Sequence, residues 1–156
     1  MNKTKVLFVC MGNICRSPSA QGVFEKMINN KGLSELFEVD SAGTHSYHVG
    51  SLPDSRSIKF AQKRGVDLTI QRARKAKPRD FNHFDYIIAM DDDNYENLKV
   101  ICPSPELQQK LYKMMSFAKN IDYCEVPDPY YGGAGGFDLV LDLLEEACDG
   151  FLKQIL

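Results

Sequence analysis

The chain has 156 residues, 44% of them apolar and 26% charged, with a net charge of −2. These values fit one domain, residues 1–156, with a sizeable core, and nothing in the sequence suggests disorder or repeats. They give no overall attraction to nucleic acid or to an anionic membrane, so any recognition of phosphate has to come from a local site. Five irregularly placed cysteines, Cys10, Cys15, Cys102, Cys124 and Cys148, do not make a disulfide framework and point to a reducing compartment, expected to be the cytoplasm. The apolar run after Lys3 and Lys5 is too short for a signal peptide, and no stretch reaches membrane-spanning length.

Val6 to Val9 is an apolar run that predicts a strand, and Ala20, Val23, Phe24, Met27 and Ile28 recur at helical spacing as far as Gly32. Between them Cys10, Met11, Gly12, Asn13, Ile14, Cys15, Arg16 and Ser17 form a strand-to-helix turn. Such a turn binds oxyanions, because unpaired amides and the helix dipole both face the anion. Gly12 is expected to supply a positive φ and close backbone approach, Ser17 a helix cap, and Pro18 a compatible first turn. A thiol at Cys10 sits in that field, and the planar fork of Arg16 matches two phosphate oxygens.

Phe37 to Asp40 reads as a short strand entering a turn at Ser41–Thr44. Residues 44–53, with His45, Tyr47 and His48, form a loop placed to border a site. Asp54 is an N-cap for a helix through Arg64, ended by Gly65. The basic stretch from Arg72 to Arg79 reads as a solvated segment without the aromatic interleaving of a nucleic-acid surface. Phe84 to Met90 predicts a buried strand with Asp91 capping the next helix; Asp91, Asp92 and Asp93 are explained by the helix dipole without a metal. Lys110 to Met115 is the fourth strand. Residues 126–136, rich in proline and glycine, form a loop, and Phe137 to Ile155 is an amphipathic helix with Cys148 in the core.

Strands alternating with helices imply a parallel sheet with helices on both faces and a functional edge at the strands' carboxyl ends. Cys10, Ser41, Asp91 and Asp128 all fall on that edge. A thiolate attacking phosphorus needs an acid opposite it to protonate the departing oxygen. Asp128, stiffened by Pro127 and Pro129, is the candidate.

With the Cys10–Ser17 loop at the N-terminus, the Phe84–Asp91 strand and the late Asp128, Pro129, Tyr130, Tyr131 run, the chain resembles the low-molecular-weight protein tyrosine phosphatases over essentially its full length. The resemblance implies a three-layer, flavodoxin-like α/β fold with a four-stranded parallel sheet in the order 2-1-3-4, and no cofactor or metal. It implies Cys10 as nucleophile, Arg16 as phosphate clamp and Asp128 as general acid and then base. The phosphate-binding loop (P-loop) would be Met11, Gly12, Asn13, Ile14, Cys15, Arg16 and Ser17, with Asn13, Ser17 and Ser41 as hydrogen-bonding support. Tyr47 and Tyr130 or Tyr131 would wall the pocket against a substrate phenyl ring, and relatives also suggest Tyr130 and Tyr131 as phosphorylation sites. Cys15 would form a reversible disulfide with Cys10; as a residue it reads equally as a small buried group shaping the loop.

The expected partners are phosphotyrosine-containing proteins, and the expected state is a monomer. Gln71 departs from the histidine that many relatives carry there. Two alternatives keep the same fold: a protein arginine phosphatase, whose members tend to carry threonine at the position of Ile14, and a thioredoxin-coupled arsenate reductase, which needs an extra cysteine pair absent here. A phosphate-binding module without turnover would require neither Cys10 nor Asp128.

Overall fold

The computed structural model describes residues 2–119, 121–131 and 134–156; the side chains of Tyr131 and Ala134 lie outside the described part. In chain order the elements are β1 (Thr4–Cys10), α1 (Arg16–Asn30), β2 (Phe37–Gly43), α2 (Ser55–Gln62), α3 (Asp80–His83), β3 (Tyr86–Ala89), α4 (Asp92–Ile101), α5 (Pro105–Gln108), β4 (Leu111–Lys113) and α6 (Ala134–Ile155). The four strands are parallel in the order β2-β1-β3-β4.

β1 is central, so both of its faces must be apolar. Val6, Phe8 and Cys10 face a core shared with α1 and α6, whereas Leu7 and Val9 face one built from Phe81, Phe84 and Leu98. Phe24 of α1 is fully buried and lies 5.8 Å from Phe8, 5.4 Å from Phe37 and 5.5 Å from Phe151, ring centre to ring centre. Burying that one side chain contributes about 2–3 kcal/mol and joins sheet, first helix and last helix. Cys148 lies in the same core.

The structure moves several expected boundaries. β2 continues through Gly43 because Ser41, Ala42 and Gly43 pair with Phe8, Val9 and Cys10, so Ser41 is in the strand and not in a turn. β3 begins only at Tyr86; Asp85 instead accepts a hydrogen bond from the Lys5 N–H at 2.8 Å. β4 is three residues long, and the rest of its expected span winds into a buried 3-10 turn at Met114–Phe117. α2 ends at Gln62, while its cap is as expected, with the Asp54 side chain accepting from the Arg56 N–H at 2.8 Å. Among the described residues no helix is long and apolar enough to cross a membrane.

α6 lies so close to the Met114–Phe117 turn that a Cβ at Gly150 would run into the Phe117 carbonyl oxygen. Gly150→Ala is therefore expected to destabilise the protein by about 1–3 kcal/mol through overpacking, measured by urea unfolding, although alanine is the better helix former.

Candidate active site

Cys10 ends β1, and six positions later α1 begins at Arg16, so the loop between them wraps around the end of the sheet. The left-handed residue in this turn is Asn13, with φ 58°, and not Gly12. Asparagine adopts that region at a cost of about 1 kcal/mol, which local hydrogen bonds offset. Here the Asn13 side-chain amide donates to Ser17 Oγ at 2.8 Å and to Ser41 Oγ at 3.0 Å, and its carbonyl accepts from the Arg74 N–H at 3.0 Å. A Cβ on Gly12 would stand 3.1 Å from the His48 ring, a tight contact that a small shift of His48 would have to relieve. A Cβ on Gly43 would meet the Met11 carbonyl at 2.7 Å, so the end of β2 lies directly against the loop backbone.

Ser17 is not the helix cap. The cap position is Cys15, whose side chain makes no capping hydrogen bond, and Ser17 sits inside the first turn. Its hydroxyl is 3.0 Å from Cys10 Sγ, which also accepts from the Asn13 N–H at 3.3 Å. Cys10 is 3% exposed, so the Asn13 N–H and the Ser17 hydroxyl stand where water would otherwise reach the sulfur. Ser41 reaches the sulfur only through Asn13. Its hydroxyl donates to Gln71 Oε1 at 3.4 Å, and Gln71 Nε2 donates to the Pro18 carbonyl at 3.0 Å. Gln71 therefore occupies the end of the network with a group that does not titrate.

The Arg16 side chain is 4% exposed. Nη1 donates to Asp91 Oδ2 at 2.5 Å and to the Val126 carbonyl at 3.1 Å, and Nη2 lies 3.7 Å from Asp128 Oδ2. Burial alone would lower the Arg16 pKa, but the charge of Cys10 and the hydrogen-bonded Asp91 raise it above its ordinary value, so the cation is permanent. The sequence pattern identifies Asp91 as a helix cap, and Oδ1 does accept from the Asn94 N–H at 2.7 Å. Its second oxygen holds Arg16, a role with no local signal. Asp92 pairs with Lys113 at 2.8 Å, so Asp91 serves as both cap and partner of Arg16 while Asp92 makes a surface pair.

Above the loop lies a cavity of about 250 Å³. Its floor is Cys10 and Arg16, with Met11, Gly12, Ile14 and Cys15 along the loop; Tyr47, His48 and Tyr130 form walls, and Asp128 is on the rim with them. Asn13 and Ser17 support the floor without lining the cavity. Tyr47 stacks on His45 with ring centres 5.1 Å apart, and the His45 N–H donates to the Met11 carbonyl at 3.0 Å. The guanidinium of Arg56 lies 5.4 Å over the Tyr130 ring. Asp128 Oδ1 accepts from the Tyr130 N–H at 3.0 Å. His48 is a wall residue that the sequence pattern leaves undistinguished in its loop. The expectation for the Tyr131 side chain lies outside the described residues.

Cys15 is a buried thiol, and burial, with the nearby charges of Asp54, Cys10 and Asp128, pushes its pKa up to about 12. The basic stretch from Arg72 to Arg79 is not simply solvated, since Arg74 is paired with Asp40 and Asp80 at 3.1 Å each.

One cavity thus brings together a buried thiol, a fixed guanidinium and a carboxylate. Comparison with known proteins identifies the family. The family model described as low molecular weight phosphotyrosine protein phosphatase matches residues 5–156. A fission yeast relative, the low molecular weight phosphotyrosine protein phosphatase of Schizosaccharomyces pombe, is 41% identical, the match covering 97% of this chain and 96% of the relative. The crystal structure of a protein tyrosine phosphatase from Entamoeba histolytica with Hepes in the active site superposes with a TM-score of 0.95 at 48% identity, over 98% of this chain and 97% of that one. A Drosophila arginine phosphatase structure matches with a TM-score of 0.90 at 33% identity, over 97% and 98% of the two chains. The chain belongs to the low molecular weight phosphotyrosine protein phosphatase family.

Asp91→Asn keeps a capping side chain and removes the carboxylate that fixes and neutralises the Arg16 guanidinium, so it is expected to weaken inorganic phosphate binding about tenfold, measured by calorimetry, and to cost about 1–3 kcal/mol of stability in urea unfolding. Asp91→Ala adds the loss of the cap, about 1 kcal/mol more in urea unfolding.

The Cys15 thiol gives a separate pH effect. Its folded-state pKa is raised from 9.0 to about 12, so between those values the folded protein keeps a proton that the unfolded chain has released. Stability from this group is full below pH 9 and declines as pH rises, by up to about 1.4 kcal/mol per pH unit. Cys15→Ala is expected to flatten the fall in unfolding free energy between about pH 9 and 11.

Proposed function

We propose that the protein hydrolyses phosphotyrosine in proteins through a phosphocysteine intermediate. The observation that carries this reading is that Cys10, Arg16 and Asp128 line one cavity together. The Cys10 sulfur attacks phosphorus as a thiolate, forming the S–P bond while the P–O bond to the aryl group breaks. Asp128 gives its proton to the departing phenolic oxygen. In the second step Asp128 takes a proton from water, whose oxygen attacks phosphorus; the S–P bond breaks, releasing inorganic phosphate and restoring the thiolate.

Arg16 and the loop amides hold the three equatorial oxygens through both steps, and they gain strength as charge builds on those oxygens. Because Asp91 and the Val126 carbonyl fix the guanidinium before substrate arrives, little reorganisation is needed in the transition state. The Entamoeba relative holds Hepes, a sulfonate, in its active site, which agrees with an oxyanion cradle at the corresponding place. The walls favour a planar ring between Tyr47 and Tyr130, and a phenol with a pKa near 10 leaves more easily than an alkyl alcohol. The substrates under this reading are phosphotyrosine proteins, met in a reducing compartment that keeps Cys10 available.

Phosphoarginine is the second reading, because a Drosophila arginine phosphatase shares the fold across nearly the whole chain. Ile14 lines the cavity and fills space beside the phosphate site, which favours the flat aryl ester over the longer guanidino group.

Phosphate release from phosphotyrosine, phosphoserine and phosphoarginine peptides tests these readings together. Phosphotyrosine is expected to be preferred, Cys10→Ser to give no turnover, and Asp128→Ala to lose about 10²–10⁴ in kcat on alkyl-like leaving groups and much less on phenols of low pKa. A defect of Asp128→Ala independent of the leaving group would remove it as general acid, and a preference for phosphoarginine would favour the second reading.

A further inference from the structure

Behind the loop, outside the cavity, stands an ion-pair cluster to which the chemistry above gives no part. Arg74 Nη1 and Nη2 donate to Asp80 Oδ2 at 3.1 Å and Oδ1 at 3.2 Å, and Nε donates to Asp40 Oδ2 at 3.1 Å. Asp80 is 7% exposed and also accepts from the Lys77 N–H at 2.8 Å. The guanidinium thus uses two edges of its plane, one bidentate, which a lysine ammonium cannot reproduce.

The backbone connections of the cluster lead to the nucleophile. The Arg74 N–H donates to Asn13 Oδ1 at 3.0 Å, and the Arg74 carbonyl accepts from the Gly43 N–H at 2.8 Å. Asp40 Oδ1 accepts from the Ser41 N–H at 2.8 Å, and Ser41 Oγ accepts from Asn13 Nδ2 at 3.0 Å. Both ends of the Asn13 amide are therefore held by residues that the guanidinium fixes relative to each other: Arg74 itself, and Ser41 through its neighbour Asp40. Asn13 is the residue in the left-handed region, and its N–H reaches Cys10 Sγ at 3.3 Å.

We propose that the Asp40–Arg74–Asp80 cluster is a clasp that holds the phosphate-binding loop in its anion-binding conformation when the site is empty, making Arg74 and Asp80 positioning residues for the reaction. The inference rests on the phosphatase reading for its kinetic half and on anion binding alone for the other half. An unclasped loop leaves the left-handed conformation in the empty protein, because Asn13 has no steric reason to stay there. A bound phosphoryl group, holding the loop amides, pulls it back. The apparent affinity then falls by the fraction of competent loop, while the saturated complex reacts as before. The signature is a rise in KM without a loss of kcat.

Arg74→Lys, Asp80→Asn and Asp40→Asn, with Glu38→Gln as control, test this. Glu38 lines the same surface groove but pairs with His83. KM for p-nitrophenyl phosphate and Kd for inorganic phosphate, the latter by calorimetry, are expected to rise by a common factor of about 5–10 in Arg74→Lys and Asp80→Asn. The kcat should stay within about twofold, and Glu38→Gln should match wild type. If wild type proves inactive on every ester, the phosphatase reading fails and the phosphate Kd series still decides the clasp. Lower melting temperatures with unchanged KM and Kd, a loss of kcat at constant KM, or an equal shift in Glu38→Gln would each overturn it. Should Asp80→Asn fail to fold, Arg74→Lys and Asp40→Asn carry the same comparison.

Discussion

A guanidinium buried to within 4% of its surface at the start of a helix has to be neutralised, and the placing of Arg16 sets the demands on the rest of the functional edge. Its partners come from three places in the chain: Cys10 at the end of β1, Asp91 at the end of β3, and the segment Val126–Asp128 before the last helix. None of these is near another in sequence. The parallel sheet brings the first two to one edge, and the Val126 N–H, donating to the Met90 carbonyl at 2.9 Å, brings the third. Val126 is thereby fastened through both of its backbone polar groups, one to the sheet and one to Arg16, two residues before Asp128.

The loop itself shows how a costly conformation is kept. One asparagine adopts a backbone region that glycine would take freely, and in return contributes an amide that ties α1, β2 and the Arg74 segment at a single point. Glycine at position 13 would relieve the backbone and lose those ties. Gly12 and Gly43 answer a different need, the close approach of the His48 ring and of the loop backbone.

The parts of this arrangement legible in the sequence were those carried by contiguous signals. The apolar run of β1 ends in a cysteine, the loop carries its own arginine, and Asp128 stands between two prolines; each is visible within a few residues. The sheet followed from the alternation of strands and helices, with the shortness of β4 missed because Met114, Met115 and Phe117 are as apolar as a strand but bury themselves in a 3-10 turn. What was hidden depends on distances between segments. Nothing local distinguishes Asp91 as a clamp from Asp91 as a cap, His48 as a wall from His48 as a loop residue, or Arg74 from the other basic residues around it. The expected positive φ fell on the glycine because propensity favours it, and the tertiary hydrogen bonds of Asn13 overrode that preference.

Tyr47 is 69% exposed and Tyr130 40%, and neither belongs to the hydrophobic core. The walls of the cavity are thus carried on residues whose replacement costs the fold little, while the groups beneath them are locked into the sheet edge. Under the proposed function, the aromatic walls that would meet the substrate ring are carried apart from the buried groups of the phosphate site. A lineage of such chains is free to exchange one clientele for another by substitution at the mouth, with the reaction centre and the folding energy inherited unchanged.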